Sequence, residues 1–361
     1  MLNKMVKKEA IGIISVFLFI LLITTNAVAS KIVTKSGPTK VQIYKISGDF
    51  SQVAYDGNNS EMYKTLTARD WEVQCDSFQK SLGEIRKEIR TMAPAKYLAA
   101  KKHNLPPTSN NIEGAVKSFS QSITKSNSNI RSSIDTANDE EIYTKSLTEK
   151  VNSKFTADDN MIEQHFGYAI GKKTINGKNV YVIAFRGTAD TYSWIFTDFI
   201  AFPIEFLKTN TQVHIGFEWN RQACMKQNFL KDFIRAIQAD ASDPIIIITG
   251  HSMGAAIAVL ETAYFIEEKI AEASNIQLVT LAEPCPGEKN FANRYKKQIK
   301  NYTWFCNLFD PVPVAPMIVG YKHFDYLFGL KMFSCGPKVP PIKNTFERHS
   351  IKYYIEYLNN L

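Results

Sequence analysis

The pentapeptide Gly250-His251-Ser252-Met253-Gly254 sets a serine between two glycines, each two residues away. A serine hydroxyl attacks an acyl carbon only when a base takes its proton and a carboxylate orients that base. The spacing alone is not specific; its surroundings make it so. The β-branched run Pro244-Ile245-Ile246-Ile247-Ile248-Thr249 precedes it and suits a strand buried on both faces. The small, helix-forming run that begins Ala255-Ala256-Ile257-Ala258 follows. Strand, sharp turn and helix in that order predict a nucleophile elbow, with the serine in a strained conformation and no room for side chains at either glycine. In such folds the carboxylate and the histidine follow the serine in the chain. Asp310 ends the strand-like run WFCNLF and precedes Pro311-Val312-Pro313, a rigid turn that suits an orienting carboxylate. Two histidines lie downstream of Ser252. His349 stands in a loop before a final helix, and His323 sits between Tyr321 and Phe324. These residues leave both open as the base.

Such groups need a scaffold that brings distant positions together. FGYAI (166–170) and KNVYVIAF (178–185) read as two strands joined by a turn at Asn176-Gly177. Gln222 to Ala241 reads as one helix with Phe229, Phe233, Ile234 and Ile237 on its apolar face, and Gly254 to Ile270 as a long helix. IQLVTLAEP (276–284) and WFCNLFDPVP (304–313) bring two more strands. Strands alternating with helices predict an α/β fold with a mostly parallel sheet. Nearer the start, VQIYKI (41–46) reads as a strand, GDFSQVAYDG (48–57) as a helix and Trp71-Glu72-Val73-Gln74 as a short strand. Phe78, Leu82, Ile85, Ile89 and Met92 then recur at helical spacing. With further helical faces at 116–134 and 139–151, residues 77–160 read as a polar helical insertion without a catalytic-looking cluster.

Composition bounds the rest. The 361 residues are 45% hydrophobic and 22% charged, which excludes a disordered, collagenous or multi-span membrane chain. The formal charge is +8, from 43 basic and 35 acidic residues. The basic residues are spread along the chain without interleaved aromatics, so no nucleic-acid partner is expected. Lys4, Lys7 and Lys8 precede an uncharged stretch from Ala10 to Ser30, and Ala27-Val28-Ala29 supplies small residues at its end. That pattern predicts a Sec-type signal peptide over 1–29 and an exported protein, secreted or periplasmic. Cys75, Cys224, Cys285, Cys306 and Cys335 are too few for a disulfide scaffold; their odd number leaves at least one unpaired or paired between molecules, and without CxxC spacing they do not point to a metal or redox site.

Assembled, these pieces resemble the class 3 lipase family, which includes the filamentous-fungal triacylglycerol lipases. The matching segments are VIAFRGT (182–188), HIGF (214–217), ITGHSMGAA (248–256), VTLAEPCPGEKNFA (279–292), NLFDPVP (307–313), YKH (321–323) and the terminal His349, over about 45–75 and 162–361. The resemblance implies an α/β-hydrolase fold spanning 30–361, interrupted by the helical insertion at about 77–160. It assigns Ser252, Asp310 and His349 as the catalytic triad and leaves His323 to a pocket or structural role. It puts the oxyanion hole at the Met253 N–H and at Thr188, with Arg186 bracing the turn. It places a helical lid at 191–207, with Trp194, Phe196 and Phe199 toward the substrate.

The implied activity is that of a secreted serine esterase, triacylglycerol lipase or phospholipase A1-like, working through an acyl-enzyme at a lipid interface. No cofactor and no metal are expected; some relatives bind calcium, but no oxygen-rich loop here specifies it. The insertion is a candidate surface for a protein partner. A feruloyl or polysaccharide esterase and a non-catalytic lipase-like binding protein are the alternatives. Ala255 stands where many members carry glycine, and Glu283-Pro284-Cys285-Pro286-Gly287 replaces the usual Ser-Pro-Arg-Val-Gly.

Overall fold

The computed structural model describes residues 36–93, 163–188, 203–308, 310, 312–313, 321, 330–333 and 347–361. Helix α1 spans Lys40–Asp56 and α2 Glu61–Ala68; strand β1, Glu72–Ser81, and helix α3, Leu82–Met92, follow. After the segment 94–162 come strands β2, Glu163–Ile175, and β3, Lys178–Phe185. The short strands β4, Pro203–Glu205, and β5, Gln212–His214, lead into helices α4, Ile215–Met225, and α5, Asn228–Ala239. Strand β6, Ile245–His251, helix α6, Met253–Glu267, strand β7, Ile276–Leu281, and helix α7, Lys289–Gln298, complete the middle of the fold. Strands β8, Asn301–Asn307, and β9, Leu330–Phe333, and helix α8, Ile351–Asn359, close it.

Among the described residues, one sheet takes the order β1-β2-β3-β6-β7-β8-β9. The β1–β2 and β2–β3 pairs are antiparallel; from β3 through β9 every pair is parallel. This is the α/β arrangement with a mostly parallel sheet that the alternation of elements predicts. Its two faces carry separate cores. Tyr181, Ile183 and Phe185 of β3 and Ile246 and Ile248 of β6 face one, with α4, α5, α6 and α7. Val180, Val182, Ala184 and Ile247 face the other, with α1, α2 and α8. A strand covered on both sides buries every residue, which is why the β6 sequence is continuously apolar.

Three local expectations are corrected. VQIYKI is helix: Thr39 caps α1, its Oγ1 accepting from Gln42 N at 3.3 Å while Gln42 Oε1 accepts from Thr39 N at 2.8 Å. Six residues rich in β-branched and aromatic types read as a strand, but Ile43, Ile46, Phe50 and Val53 are buried at helical spacing. The helical face from Phe78 to Met92 starts late. Phe78 lies in β1 and stacks on Phe166, whereas Ser81 and Glu84 form a capping box that opens α3, which buries Ile85 and Ile89 and leaves Met92 exposed. The strand beginning at WEVQ accordingly runs on to Ser81. The single helix over 222–241 is two, broken at Lys226-Gln227, and Leu230 takes the buried place expected for Phe229, which is 59% exposed.

The turn at Asn176-Gly177 joins β2 to β3 with both residues at positive φ, as a tight hairpin requires. The expected signal peptide, the part of the expected insertion beyond residue 93, and Trp194, Phe196, Phe199, His323 and Cys335 lie outside the described residues. At the end of the lid segment, Pro203–Glu205 forms β4 and Phe206 is fully buried edge-on to Phe291 and Tyr295. That end belongs to the core.

Candidate active site

Ser252 stands between β6 and α6 with φ 59° and ψ −130°, outside ordinary helix or strand geometry. The two flanking glycines are a steric necessity. A Cβ on Gly250 would overlap the backbone of Gly254, and one on Gly254 would overlap the carbonyl of Phe185 at the end of β3. The same crowding brings the start of α6 against Phe185 and Arg186, and Gly187, the neighbour of Thr188, against the His251 carbonyl. Met253 is the first residue of α6, where an N–H has no intrahelical acceptor. Ser252 N donates to Leu281 O at 2.9 Å, tying the elbow to β7. The Ser252 hydroxyl is buried and has no hydrogen-bond partner among the described residues.

Asp310 follows β8 and is fully buried. Its carboxylate receives His349 Nδ1 at 2.9 and 2.8 Å, the Tyr354 hydroxyl at 2.6 Å and Val312 N at 2.9 Å. The rigid turn expected from Pro311-Val312-Pro313 thus contributes a donor. Burial first, and then the Asp310 charge, raise the Tyr354 pKa well above its ordinary value, so the phenol keeps its proton and donates. His349 closes a short 3₁₀ turn, 347–349, ahead of α8. Arg348 Nη1 donates to Leu308 O at 3.1 Å, which fastens that turn to the chain before Asp310.

The elbow of Ser252 and Met253 therefore packs against Arg186 and Gly187, and Asp310 and His349 are directly bonded. His251, next to Ser252, reaches His349: its Nε2 lies 2.8 Å from the His349 carbonyl oxygen and the two rings are 4.6 Å apart. Sequence reasoning missed Tyr354, His251 as a contact of His349, and Tyr55, whose hydroxyl lies 2.9 Å from His251 Nδ1. His251 was visible as a residue type inside the pentapeptide. Tyr354 and Tyr55 lie in ordinary amphipathic helix sequence and carry no local signal.

The HIGF segment also has a structural account. His214 Nδ1 accepts from Gly216 N at 3.1 Å and caps α4. Burial lowers the His214 pKa to about 3, so the ring is neutral and stacks on Phe217. Arg186 packs its guanidinium over the Tyr55 ring at 5.8 Å. The divergent loop Glu283–Gly287 is built into the same end of the sheet: Tyr302 donates to Glu283 Oε2 at 2.6 Å, and His214 N donates to Pro286 O at 2.9 Å. Cys75, Cys224, Cys285 and Cys306 are free. Among the described residues no cluster of His, Cys, Asp and Glu could hold a metal ion.

A mostly parallel sheet clothed on both faces, with a strained serine at a strand-to-helix turn, defines an α/β-hydrolase-type fold. Residues 182–320 match the family model described as lipase (class 3). The secreted mono- and diacylglycerol lipase 1 of Fusarium solani is 27% identical over 153 residues, 42% of this chain and 44% of that protein. The secreted mono- and diacylglycerol lipase A of Penicillium cyclopium is 26% identical over 143 residues, 39% of this chain and 45% of that protein. The chain thus spans less than half the length of the curated relatives it matches. Among solved structures, a triacylglyceride lipase of Rhizomucor miehei matches with 24% identity and a TM-score of 0.39, covering 44% of this chain and 59% of that one. A lipase of Rhizopus microsporus var. chinensis matches with 23% identity and a TM-score of 0.38, covering 44% of this chain and 54% of that one.

Proposed function

We propose that this chain hydrolyses carboxylic esters of acylglycerols through an acyl-enzyme. Ser252 is the nucleophile, His349 the base and Asp310 the carboxylate that orients it. The observation that carries the reading is the bonded Asp310–His349 pair beside a serine held at positive φ with its buried hydroxyl unengaged. In the forward half-reaction, His349 Nε2 takes the Ser252 proton as Oγ bonds to the acyl carbon. The oxyanion forms between the Met253 N–H and Thr188, and the leaving alkoxide departs with the proton from His349. Water activated by the same imidazole then cleaves the acyl-enzyme.

Mono- and diacylglycerols lead the substrate reading because the curated relatives bear those names, with triacylglycerols and the sn-1 ester of phospholipids next. The apolar stretch around Trp194, Phe196 and Phe199 serves as a lid facing lipid, the chain after β1 to about residue 160 as a helical insertion in a single hydrolase domain, and 1–29 as an export signal. The secreted status in the relatives' names supports export.

The test is hydrolysis of mono-, di- and triacylglycerols and of phosphatidylcholine by wild type and Ser252→Ala. Wild-type turnover with a loss of at least about 10³-fold in the alanine variant is expected. Turnover that survives Ser252→Ala, or none on any of these esters, overturns the assignment.

A further inference from the structure

We propose that His251 is a positioning residue: its Nε2–H holds the main-chain carbonyl of His349 and fixes the turn that carries the base, while Tyr55 holds the His251 ring in the tautomer this requires. The inference rests on the reading of His349 as the base.

The tautomer follows from the partners. His251 Nε2 lies 2.8 Å from the His349 carbonyl oxygen, which can only accept, so Nε2 carries the hydrogen. Burial, then repulsion from His349, push the His251 pKa well below its ordinary value, against the backbone bond to His349, which favours the charged form. The ring is therefore neutral, and its bare Nδ1 accepts from the Tyr55 hydroxyl at 2.9 Å.

Neutrality matters here because the two imidazole centroids are 4.6 Å apart. The reaction requires His349 to become an imidazolium for part of each cycle. A second charged ring at that distance would oppose the step, whereas a neutral ring fixed at both nitrogens does not.

The pinning is two-sided. Asn307 Nδ2, at the end of β8, donates to the Arg348 carbonyl at 2.9 Å. Two consecutive carbonyls of the turn 347–349 are thus held by side chains from the ends of β8 and β6. Asp310 fixes the imidazole at Nδ1, but a ring anchored at one atom can still pivot if its backbone shifts. The carbonyl anchors remove that freedom. Tyr55 extends the connection, since a Cβ on Gly187 would run into the Tyr55 hydroxyl and the His251 carbonyl. One tyrosine therefore touches both the oxyanion turn and the histidine that holds the base's loop.

The experiment compares the full chain with His251→Leu, His251→Gln and Tyr55→Phe, by ester-hydrolysis kinetics and by the downfield proton resonance of His349 Nδ1–H. In His251→Leu, kcat should fall roughly 10- to 100-fold, KM should move less than about threefold, and the resonance should broaden or shift. His251→Gln, whose amide N–H can reach the same carbonyl, should recover most of both. Tyr55→Phe, which keeps the ring and its packing, should show the same signature at roughly 3- to 10-fold. A folded His251→Leu with unchanged kcat and resonance overturns the proposal, as does a glutamine variant that falls as far as leucine. If His251→Leu does not fold, an unchanged Tyr55→Phe overturns it. A wild type that cleaves no ester, with the resonance still responding as described, would sink the hydrolytic reading and leave the positioning role standing.

Discussion

Helix α6 separates two buried charged clusters built on different terms. At its N-terminal end, the Asp310 carboxylate accepts from an imidazole, a phenol and a backbone N–H. Further along, Glu261 of α6 meets Arg221 of α4, whose Nη1 lies 3.2 Å from Glu261 Oε2. The same guanidinium grips Glu218 through Nε at 2.7 Å and Nη2 at 2.9 Å. Its flat face lies 4.5 Å from the Tyr264 ring. Burial works against the Arg221 charge, but Glu218 and Glu261 outweigh it and hold its pKa above the ordinary value. The second cluster gathers two carboxylates on one guanidinium and joins two helices. The first joins a carboxylate to an imidazole, a phenol and a backbone N–H. Buried charge ties two helices together in one place and, on the proposed function, serves chemistry in the other; the partner type distinguishes them, since burial is common to both.

The contrast predicts a double dissociation. Asp310→Asn keeps the shape and removes the charge that orients His349 and stabilises its imidazolium, so kcat should drop about 10⁴-fold. Its unfolding free energy should change by no more than about 1–2 kcal/mol, because donors around the site lose acceptor strength rather than volume. Arg221→Met should do the reverse. It strands Glu218 and Glu261 in the interior and should cost about 3–5 kcal/mol in urea unfolding, with turnover per folded molecule nearly unchanged. If Arg221→Met instead abolished turnover in folded protein, the two clusters would be one functional unit and the comparison would fail.

The third prediction uses pH. Burial, opposed by Arg221 and reinforced by Glu218, raises the Glu261 pKa from 4.5 to about 7. The folded state therefore binds this proton more tightly than the unfolded chain. Its contribution is fully present below about pH 4.5 and is lost as pH rises toward 7, a decline of up to roughly 3 kcal/mol. Glu261→Gln should flatten that part of the stability–pH curve in thermal melts taken from pH 4.5 to 7.5. An unchanged slope would show that another group carries the proton.

Legibility in the sequence divides along similar lines. The elbow was readable because strand, glycines, serine and helix are contiguous, and steric demand writes itself locally. Asp310 was readable from its strand-end and proline context. The residues alone leave His349 and His323 both open, because a bond such as that between Asp310 and His349 spans 39 positions of chain and leaves no local mark. The ion cluster was not legible: Glu218 and Arg221 sit on one helix turn like any surface pair, and only Glu261, 40 residues from Arg221, makes them interior. VQIYKI reads as a strand because six residues rich in β-branched and aromatic types are too few to show a period, whereas the capping pair Thr39 and Gln42 and the longer run through Val53 make it helix.

The smallest expected effect probes the catalytic side of the comparison most finely. Tyr354 donates to Asp310 Oδ2 at 2.6 Å and accepts from Asn307 N at 3.0 Å, so its hydroxyl links the carboxylate to the end of β8. Tyr354→Phe leaves the ring against Phe333 and His251 intact and removes only that oxygen. Asp310 then keeps His349 and Val312 as donors, and its orientation loosens rather than collapses. A hydrogen bond to a charged acceptor contributes about 1.5–3 kcal/mol, and only the part felt more strongly once His349 is an imidazolium reaches kcat. The expected loss is therefore about 10-fold in kcat with KM held. A fall as deep as that of Asp310→Asn would mean that the phenol, and not His349, supplies the donor on which the carboxylate depends. No fall at all would mean that Val312 N and His349 suffice to fix it.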